Sequence, residues 1–328
     1  MELSDLPQSV YAGWRAPQRY RATATAWYLN QSIRESGVTD RLPTSPVYTG
    51  VLVERSSAPS LVHFMPTSAV TDIDAKVDGL RNLLAEFGQV VVCFSGGVDS
   101  GYLLAEAVKV LGDRATALTA VSPSLAPEER FSAQRLAKQL GARHTLVETH
   151  ELDDARYAAN PINRCYFCKN EVYAVAVAEA NRLGAVSVLD GFNADDRSDH
   201  RPGRRAALEQ GVRSPLDELC FGKADVREAA RRLGLPVWNK PALACLASRF
   251  PYGVEITPER LDRVARCERT LRKLGFNVCR VRFHDTAAHI EVEAAQIPRL
   301  RRPIIRLQVL QHFRDVGFLS VTLDPLGY

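Results

Sequence analysis

The chain has 328 residues, 46% apolar and 24% charged, which suits about two globular domains and excludes a disordered tail or a low-complexity fibre. Its 42 Lys+Arg against 38 Asp+Glu leave a net charge of +4, too little for a general nucleic-acid coat although a local basic patch stays open. Seven dispersed cysteines argue against a disulfide framework and for thiols used in chemistry or metal binding, the expectation in the cytoplasm. No apolar run is long enough to span a bilayer, and MELSDLPQSV lacks the charged and apolar regions of a secretory signal.

Residues 1–72 mix Tyr11, Trp14, Tyr20, Trp27 and Tyr28 with Ser, Thr and Pro and show no sustained period. They read as an N-terminal extension with one short strand at Val51–Glu54. From Asp72 the pattern sharpens. Ile73, Val77, Leu80, Leu83 and Leu84 recur at helical spacing behind Thr71 as N-cap, and Gly88 ends that helix. QVVVCF is a continuous apolar run of the kind buried on both faces of a parallel sheet. A glycine-containing loop, a helix Tyr102–Leu111 and the strand ATALTAV follow.

The alternation continues with a helix from Pro127 to Leu140, the strand HTLVE, a long helix Asn163–Leu183, the strand AVSVLD and a helix Ala224–Leu233. The predicted fold class is therefore α/β, a doubly wound, mostly parallel sheet over 73–238. After KPALACLASRFPYG the order changes to a helix (Pro258–Leu274), strands (Val278–Phe283 and His289–Glu293), another helix and a strand (Leu319–Leu323). That is a smaller C-terminal α+β domain over 239–328, with Cys245 at its start.

The most specific signal is Ser95-Gly96-Gly97-Val98-Asp99-Ser100 between a buried strand and a helix. Two glycines admit backbone N–H groups to an anion, the helix N-terminus adds partial positive charge, and Ser95 and Ser100 supply hydroxyls. Asp99 would be repelled by bare phosphate and is better suited to Mg²⁺. A Walker A loop is excluded, because its lysine is missing.

SGGVDS resembles the PP-loop of the ATP pyrophosphatases. The resemblance implies ATP bound at this loop, adenylation of a carboxyl oxygen, and adenine held against Ala120-Val121-Ser122 at the carboxyl end of the next strand. Three more stretches, NPINRCYFCKNEVY (160–173), DGFNADDRSDHRPGRRAALEQGVRSPLDEL (190–219) and KPALACLASRFPYG (240–253), follow in order. Together the four resemble the LarE family over about 73–323, outside which the first 70 residues fall. Membership implies an ATP-dependent sulfur transferase that turns a carboxylate of a pyridinium biscarboxylic acid mononucleotide into a thiocarboxylate for nickel-pincer nucleotide assembly. It also implies a homo-oligomer, with a ring-shaped hexamer as the candidate.

Some members sacrifice a cysteine at the position of Cys245. Others hold a four-iron, four-sulfur cluster through three cysteines, the pattern that Cys165, Cys168 and Cys245 match. For the C-x-x-C, a zinc ion completed by Cys220 and free redox thiols are the rivals. Lys240 and Arg249 are expected to lower the Cys245 pKa. Cys93, Cys267 and Cys279 read as packing.

Asp195 and Asp196, after a strand end, are Mg²⁺ candidates, the alternative being a solvated Asx turn. Arg213 resembles a phosphate clamp. Arg280 and Arg282 alternate along a strand and resemble a family pair that binds phosphate near subunit contacts, while Glu268 resembles a family carboxylate near substrate and cysteine. Arg201, Arg204 and Arg205, and the run Arg299, Arg301, Arg302 and Arg306, read as solvated faces. Competing functions are a PP-loop tRNA thiolase, which should carry a basic RNA-binding surface; a non-catalytic ATP sensor, which would release no pyrophosphate; and an amidating synthetase, for which no ammonia source is evident.

Overall fold

The computed structural model describes residues 69–198, 202–241 and 244–328. The Val51–Glu54 strand, the N-terminal aromatics and Arg201 lie outside them. Helix α1 (Ala69–Phe87) leads into β1 (Val90–Cys93), α2 (Val98–Leu111), β2 (Ala115–Val121), α3 (Pro127–Gln139) and β3 (Arg143–Glu148). Helix α4 (Arg164–Leu183), β4 (Ser187–Leu189) and α5 (Lys223–Arg232) complete the first unit. The second contains α6 (Pro258–Lys273), β5 (Cys279–His284), β6 (Ala287–Val292), α7 (Pro303–Asp315) and β7 (Ser320–Leu323).

The first sheet is parallel in the order β3-β2-β1-β4, with Val92 of β1 opposite Ala117 on one side and Leu189 on the other. A bridge from Leu189 to Arg213 extends it past β4. The all-valine start of β1 makes sense in this position. Val90 and Val92 enter a core with Leu80, Leu84, Leu103, Leu104 and Val226, while Val91 enters the opposite one with Tyr173, Ala176 and Val188. A strand covered on both faces has no use for alternation. Strand order reverses at β1, so the cleft belongs outside the carboxyl ends of β1 and β4.

The α/β expectation is met, with two departures. Thr71 lies inside α1 rather than capping it. Helix α2 starts at Val98, four residues before Tyr102, because extended Gly97 (φ −80°, ψ 174°) occupies the N-cap position; Asp99 and Ser100 therefore ride its first turn. In the second unit β5 pairs antiparallel with β6, and β6 parallel with β7. One face of that sheet packs Val281, Phe283, Ile290 and Leu323 against Leu261, Val264, Leu271 and Phe313. Leu246, Ala247 and Phe250 join this core, and so do Ala126 and Tyr157 from the first unit. The loop carrying Cys245 is thus anchored where the two units meet.

Candidate functional site

The glycine turn is shaped by its own atoms. Ser95 and Ser100 hydroxyls lie 3.1 Å apart, and the Ser95 and Gly97 N–H groups donate to the Ser100 and Ser95 hydroxyls at 3.3 and 3.4 Å. Its two glycines have different reasons. Gly96 has φ +72°, and a Cβ there would lie 3.0 Å from the Ala133 backbone. Gly97 has an ordinary conformation, and its Cβ would meet only Ser95 Oγ at 3.4 Å. Nothing among the described residues forbids a side chain at Gly97, so its bareness suits a group that approaches the helix N-terminus.

The turn after β4 closes on this one. A Cβ on Gly191 would lie 2.8 Å from Ser100 N, and fully buried Asn193 donates to Asp99 at 3.2 Å. Desolvation, reinforced by the Asp196 charge, raises the Asp99 pKa, while Lys223 and the Asn193 hydrogen bond pull against it. Asp195 is turned away and accepts the Lys223 N–H at the start of α5 (2.7 Å), whereas buried Asp196 faces Asp99 and lies 3.5 Å from Lys223 Nζ. Two desolvated carboxylates that repel each other fit a cation between them.

Arg213 is engaged elsewhere. Its guanidinium forks onto Glu218 (2.8 and 2.5 Å) and lies over the Phe87 ring, which precedes β1 at the end opposite the glycine turn. As a phosphate clamp it would have to leave both. Arg204 is not solvated: it donates to Ser214 (2.6 Å) and Asp217 (3.0 Å) and covers Phe192, and Ser214 in turn donates to Asp190 (2.7 Å), the residue that opens the β4 turn. Arg205 pairs with Glu209 and lies over Tyr166. Arg299 donates to Leu274 O and Gly275 O at the end of α6 instead of fronting water.

Val121 ends β2 at the cleft, its carbonyl taken by Thr149 N–H at 3.0 Å. Beyond it, Ser122 donates to Glu151 at 2.5 Å. Glu151 is 2% exposed, and its Oε2 has no partner among the described residues. The cysteine loop reaches the same edge. Leu246 N–H donates to Ser124 O (2.9 Å), and Lys240 Nζ donates to Gly96 O (3.1 Å) and Glu129 (2.8 Å). The loop that carries Cys245 is therefore tied on one side to the glycine turn and on the other to the segment that follows β2.

Arginines from outside and one of its own hold the loop. Buried Arg164, next to Cys165, donates to Ala247 O at 3.1 Å and to Asn160. Asn160 (φ +54°) secures Pro251 O and Val254 O. Arg249 donates to Ala244 O at 2.8 Å and forks onto Glu268 at 2.7 and 3.1 Å. Glu268 also accepts from Arg272 (2.8 Å) and from Val281 N–H (3.1 Å) on the β5 edge, and it is fully buried. It reaches Cys245 only through Arg249, so it positions the loop and does not face the cleft. Arg282 forks onto Glu291 at 2.9 Å and donates to Ser248 O at 3.0 Å. Arg280, held by Tyr328 Oη (2.6 Å), has its pKa lowered by desolvation and by Arg282 and Arg249.

Cys165 and Cys245 are exposed and Cys168 half-buried. Desolvation pushes the Cys168 thiol up to about 12, with Glu151, Cys245 and Cys165 adding to the rise. The expected depression of Cys245 is not found. Packed protein around it raises its pKa, Arg164 and Arg249 oppose this without prevailing, and Lys240 points to Gly96 instead. The three sulfurs feel one another's charge but do not all lie within 4.8 Å. A tetrahedral zinc would need them about 3.8 Å apart. Cys220 ends a short helix elsewhere, beside Arg197, and does not complete a zinc set. Cys267 and Cys279 are buried, and burial pushes Cys93 up to about 12.

Lys240, Glu151, Asn160 and Arg164 were not singled out as site residues from sequence. Asn160 and Arg164 do lie inside the NPINRCYFC stretch, where proximity to the C-x-x-C was the available signal.

The asparagine synthase family model matches residues 78–173. The chain is 48% identical to an uncharacterized protein of Synechocystis sp. over 256 residues, 78% of this chain and 96% of the other. It is 39% identical to the pyridinium-3,5-bisthiocarboxylic acid mononucleotide synthase of Lactiplantibacillus plantarum over 246 residues, 75% and 88% of the two. An uncharacterized protein of Methanocaldococcus jannaschii matches at 27% over 239 residues, 72% of this chain and 89% of the other.

Proposed function

Since the chain belongs to the LarE family of PP-loop ATP-dependent sulfur transferases, we propose that it adenylates a carboxylate of a pyridinium biscarboxylic acid mononucleotide and replaces an oxygen by sulfur delivered at Cys165, Cys168 and Cys245. The observation that carries this reading is the shared edge: Lys240 on Gly96 O and Leu246 on Ser124 O bring the cysteine loop to the nucleotide turn.

In this reading the N–H groups of the turn and the first turn of α2 receive the ATP phosphates, with Gly97 giving them close approach. Asp99 and Asp196 would hold Mg²⁺, which neutralises triphosphate charge. A substrate carboxylate oxygen attacks the α-phosphorus, the bond to pyrophosphate breaks, and the acyl group gains AMP as leaving group. Arg280 and Arg282 bind the phosphate of the mononucleotide, a role that suits Arg280 because desolvation and two other arginines crowd its charge, and its direct hydrogen-bond partner is a phenol.

For the sulfur source the three cysteines fit a four-iron, four-sulfur cluster, whose open iron would supply exchangeable sulfide. Raised thiol pKa values disfavour a redox dithiol, which needs accessible thiolate, and coordination by a metal reverses that rise. Three sulfurs that do not all lie within 4.8 Å of one another are too far apart as they stand for a single zinc ion. Arg164, Arg249 and Glu268 fix the loop while sulfur displaces AMP.

The test uses anaerobically purified full-length protein, Mg·ATP and the pyridinium nucleotide. The expected result is pyrophosphate together with thiocarboxylate, iron and sulfide contents that fall in Cys165→Ser and Cys168→Ser, and an unchanged protein mass after turnover. Loss of H₂S from Cys245 would replace the cluster by a sacrificial cysteine. Absence of pyrophosphate would remove the proposal altogether.

A further inference from the structure

The polar face of the C-terminal sheet carries a second cluster that the sulfur chemistry does not use. His289 and Glu291 point the same way from β6, and Asp324 follows β7 beside them. One nitrogen or oxygen from each of the three lies within 4.8 Å of the others, the one such set among the described residues.

The hydrogen bonds bear on what the imidazole presents. Thr322, opposite His289 in register, has its hydroxyl 3.4 Å from Ala288 O and 2.8 Å from His289 Nδ1. With the hydroxyl hydrogen on Ala288 O, its oxygen accepts from His289 Nδ1–H, and the ring presents the Nε2 lone pair to Asp324 Oδ2 at 3.3 Å; the other tautomer would donate Nε2–H there instead. In the first arrangement two acceptors at this separation repel unless a positive centre lies between them. Two ligands on one metal ion, each about 2.1 Å from it, stand about 3.0–3.4 Å apart.

The remaining contacts aim the carboxylates inward. Asp324 Oδ1 is taken by the N–H groups of Leu326 (2.9 Å) and Gly327 (3.2 Å), which leaves Oδ2 to the cluster. Glu291 is 8% exposed and accepts two bonds from Arg282. A carboxylate has about four acceptor positions, so two stay open. Thr322 stands where the outer partner of a metal-bound histidine does, a partner that fixes tautomer and ring direction.

We infer that His289, Glu291 and Asp324 form a site for a divalent first-row metal ion, made of residues other than those of the nucleotide turn and the thiols, and touching the proposed chemistry only through Arg282. One imidazole and two carboxylates suit Mn²⁺, Fe²⁺ or Zn²⁺ and disfavour soft ions. Glu291 also neutralises Arg282, which holds Ser248 O, so an ion here is coupled to the cysteine loop through one guanidinium.

The probe is Mn²⁺ alone, because thiolates compete poorly for it. Chelator-treated full-length protein is titrated without nucleotide, and free Mn²⁺ is counted by electron paramagnetic resonance. Wild type should take up one ion more than His289→Ala and Asp324→Asn, any ion at Asp99 and Asp196 being common to all. Thr322→Val, which keeps its shape but loses the hydroxyl, should retain the site with about 10-fold weaker affinity or worse. Should His289→Ala misfold by circular dichroism, the other two variants carry the test. Equal uptake by wild type, Asp324→Asn and Thr322→Val overturns the inference and leaves His289–Asp324 bridged by a proton only.

Discussion

The glycine turn and the cysteine loop are tied to each other but are built in different ways. The turn is local: six consecutive residues supply the hydroxyls, the N–H donors and the helix start, while Gly191, Asn193, Asp196, Lys223 and Lys240 come to it from outside. The loop takes more of its shape from outside. Its own Arg249 holds the carbonyl at 244, but Arg164 and Arg282 hold those at 247 and 248, and Ser124 O its Leu246 N–H. An anion cradle made of backbone can be encoded in one stretch. Cysteines carried on a loop need a rigid frame, most of it from elsewhere, to be held in place.

The largest expected effect separates the two parts. Cys245→Ala should reduce thiocarboxylate formation to background while pyrophosphate release continues, because the turn needs nothing from the thiol. Measuring both products in one anaerobic reaction checks this. If both vanish together, the parts are not independent as drawn.

Next is the frame itself. Glu268→Ala leaves Arg249 buried and without its carboxylate and strips an acceptor from Arg272 and Val281 N–H. A loss of about 3–5 kcal/mol is expected from urea unfolding. Glu268→Gln should lose less, because an acceptor oxygen remains. A wild-type urea midpoint for Glu268→Ala would mean that Arg249 does not depend on this pair.

This division explains what the sequence made legible. SGGVDS and the alternation around QVVVCF and ATALTAV are local, so the sheet, its order of elements and the nucleotide turn could be read directly. Glu268 was noticed for the wrong reason: its identity suggests chemistry, but its 0% exposure and three donors make it a scaffold. Arg213 and Arg204 both departed from expectation for the same cause. A guanidinium's partner is chosen by tertiary contact, and neither Glu218 nor Asp217 announces itself from the chain. The depressed Cys245 pKa failed because desolvation by the packed protein outweighs the Arg164 and Arg249 charges, and burial is not visible from neighbours along the chain.

Within the turn, the glycines give a smaller and sharper contrast. Gly191→Ala drives a Cβ to 2.8 Å from Ser100 N and should cost about 1–3 kcal/mol of stability. Gly97→Ala meets only ordinary contact, so its stability should stay within about 1 kcal/mol of wild type, yet ATP affinity measured by calorimetry should drop. Equal ATP affinity in Gly97→Ala and wild type would mean that phosphate does not approach this atom.

The smallest effect concerns Asp99. Its folded pKa is raised by desolvation and by Asp196, so folding favours the protonated acid. That stability is fully present below the unfolded carboxylate value and disappears as pH rises through the folded one. Asp99→Asn has no such loss. Without ligand, the variant should gain on wild type across that acid window and keep a lead of order 1 kcal/mol or less at neutral pH. Mg·ATP should reverse the order, since the charge that burdens the empty cleft is the one a cation requires. Unfolding curves at pH 4 and 7, each with and without Mg·ATP, give the comparison. A variant that gains nothing on wild type between those pH values, or that Mg·ATP stabilises as much as wild type, would detach Asp99 from the cation.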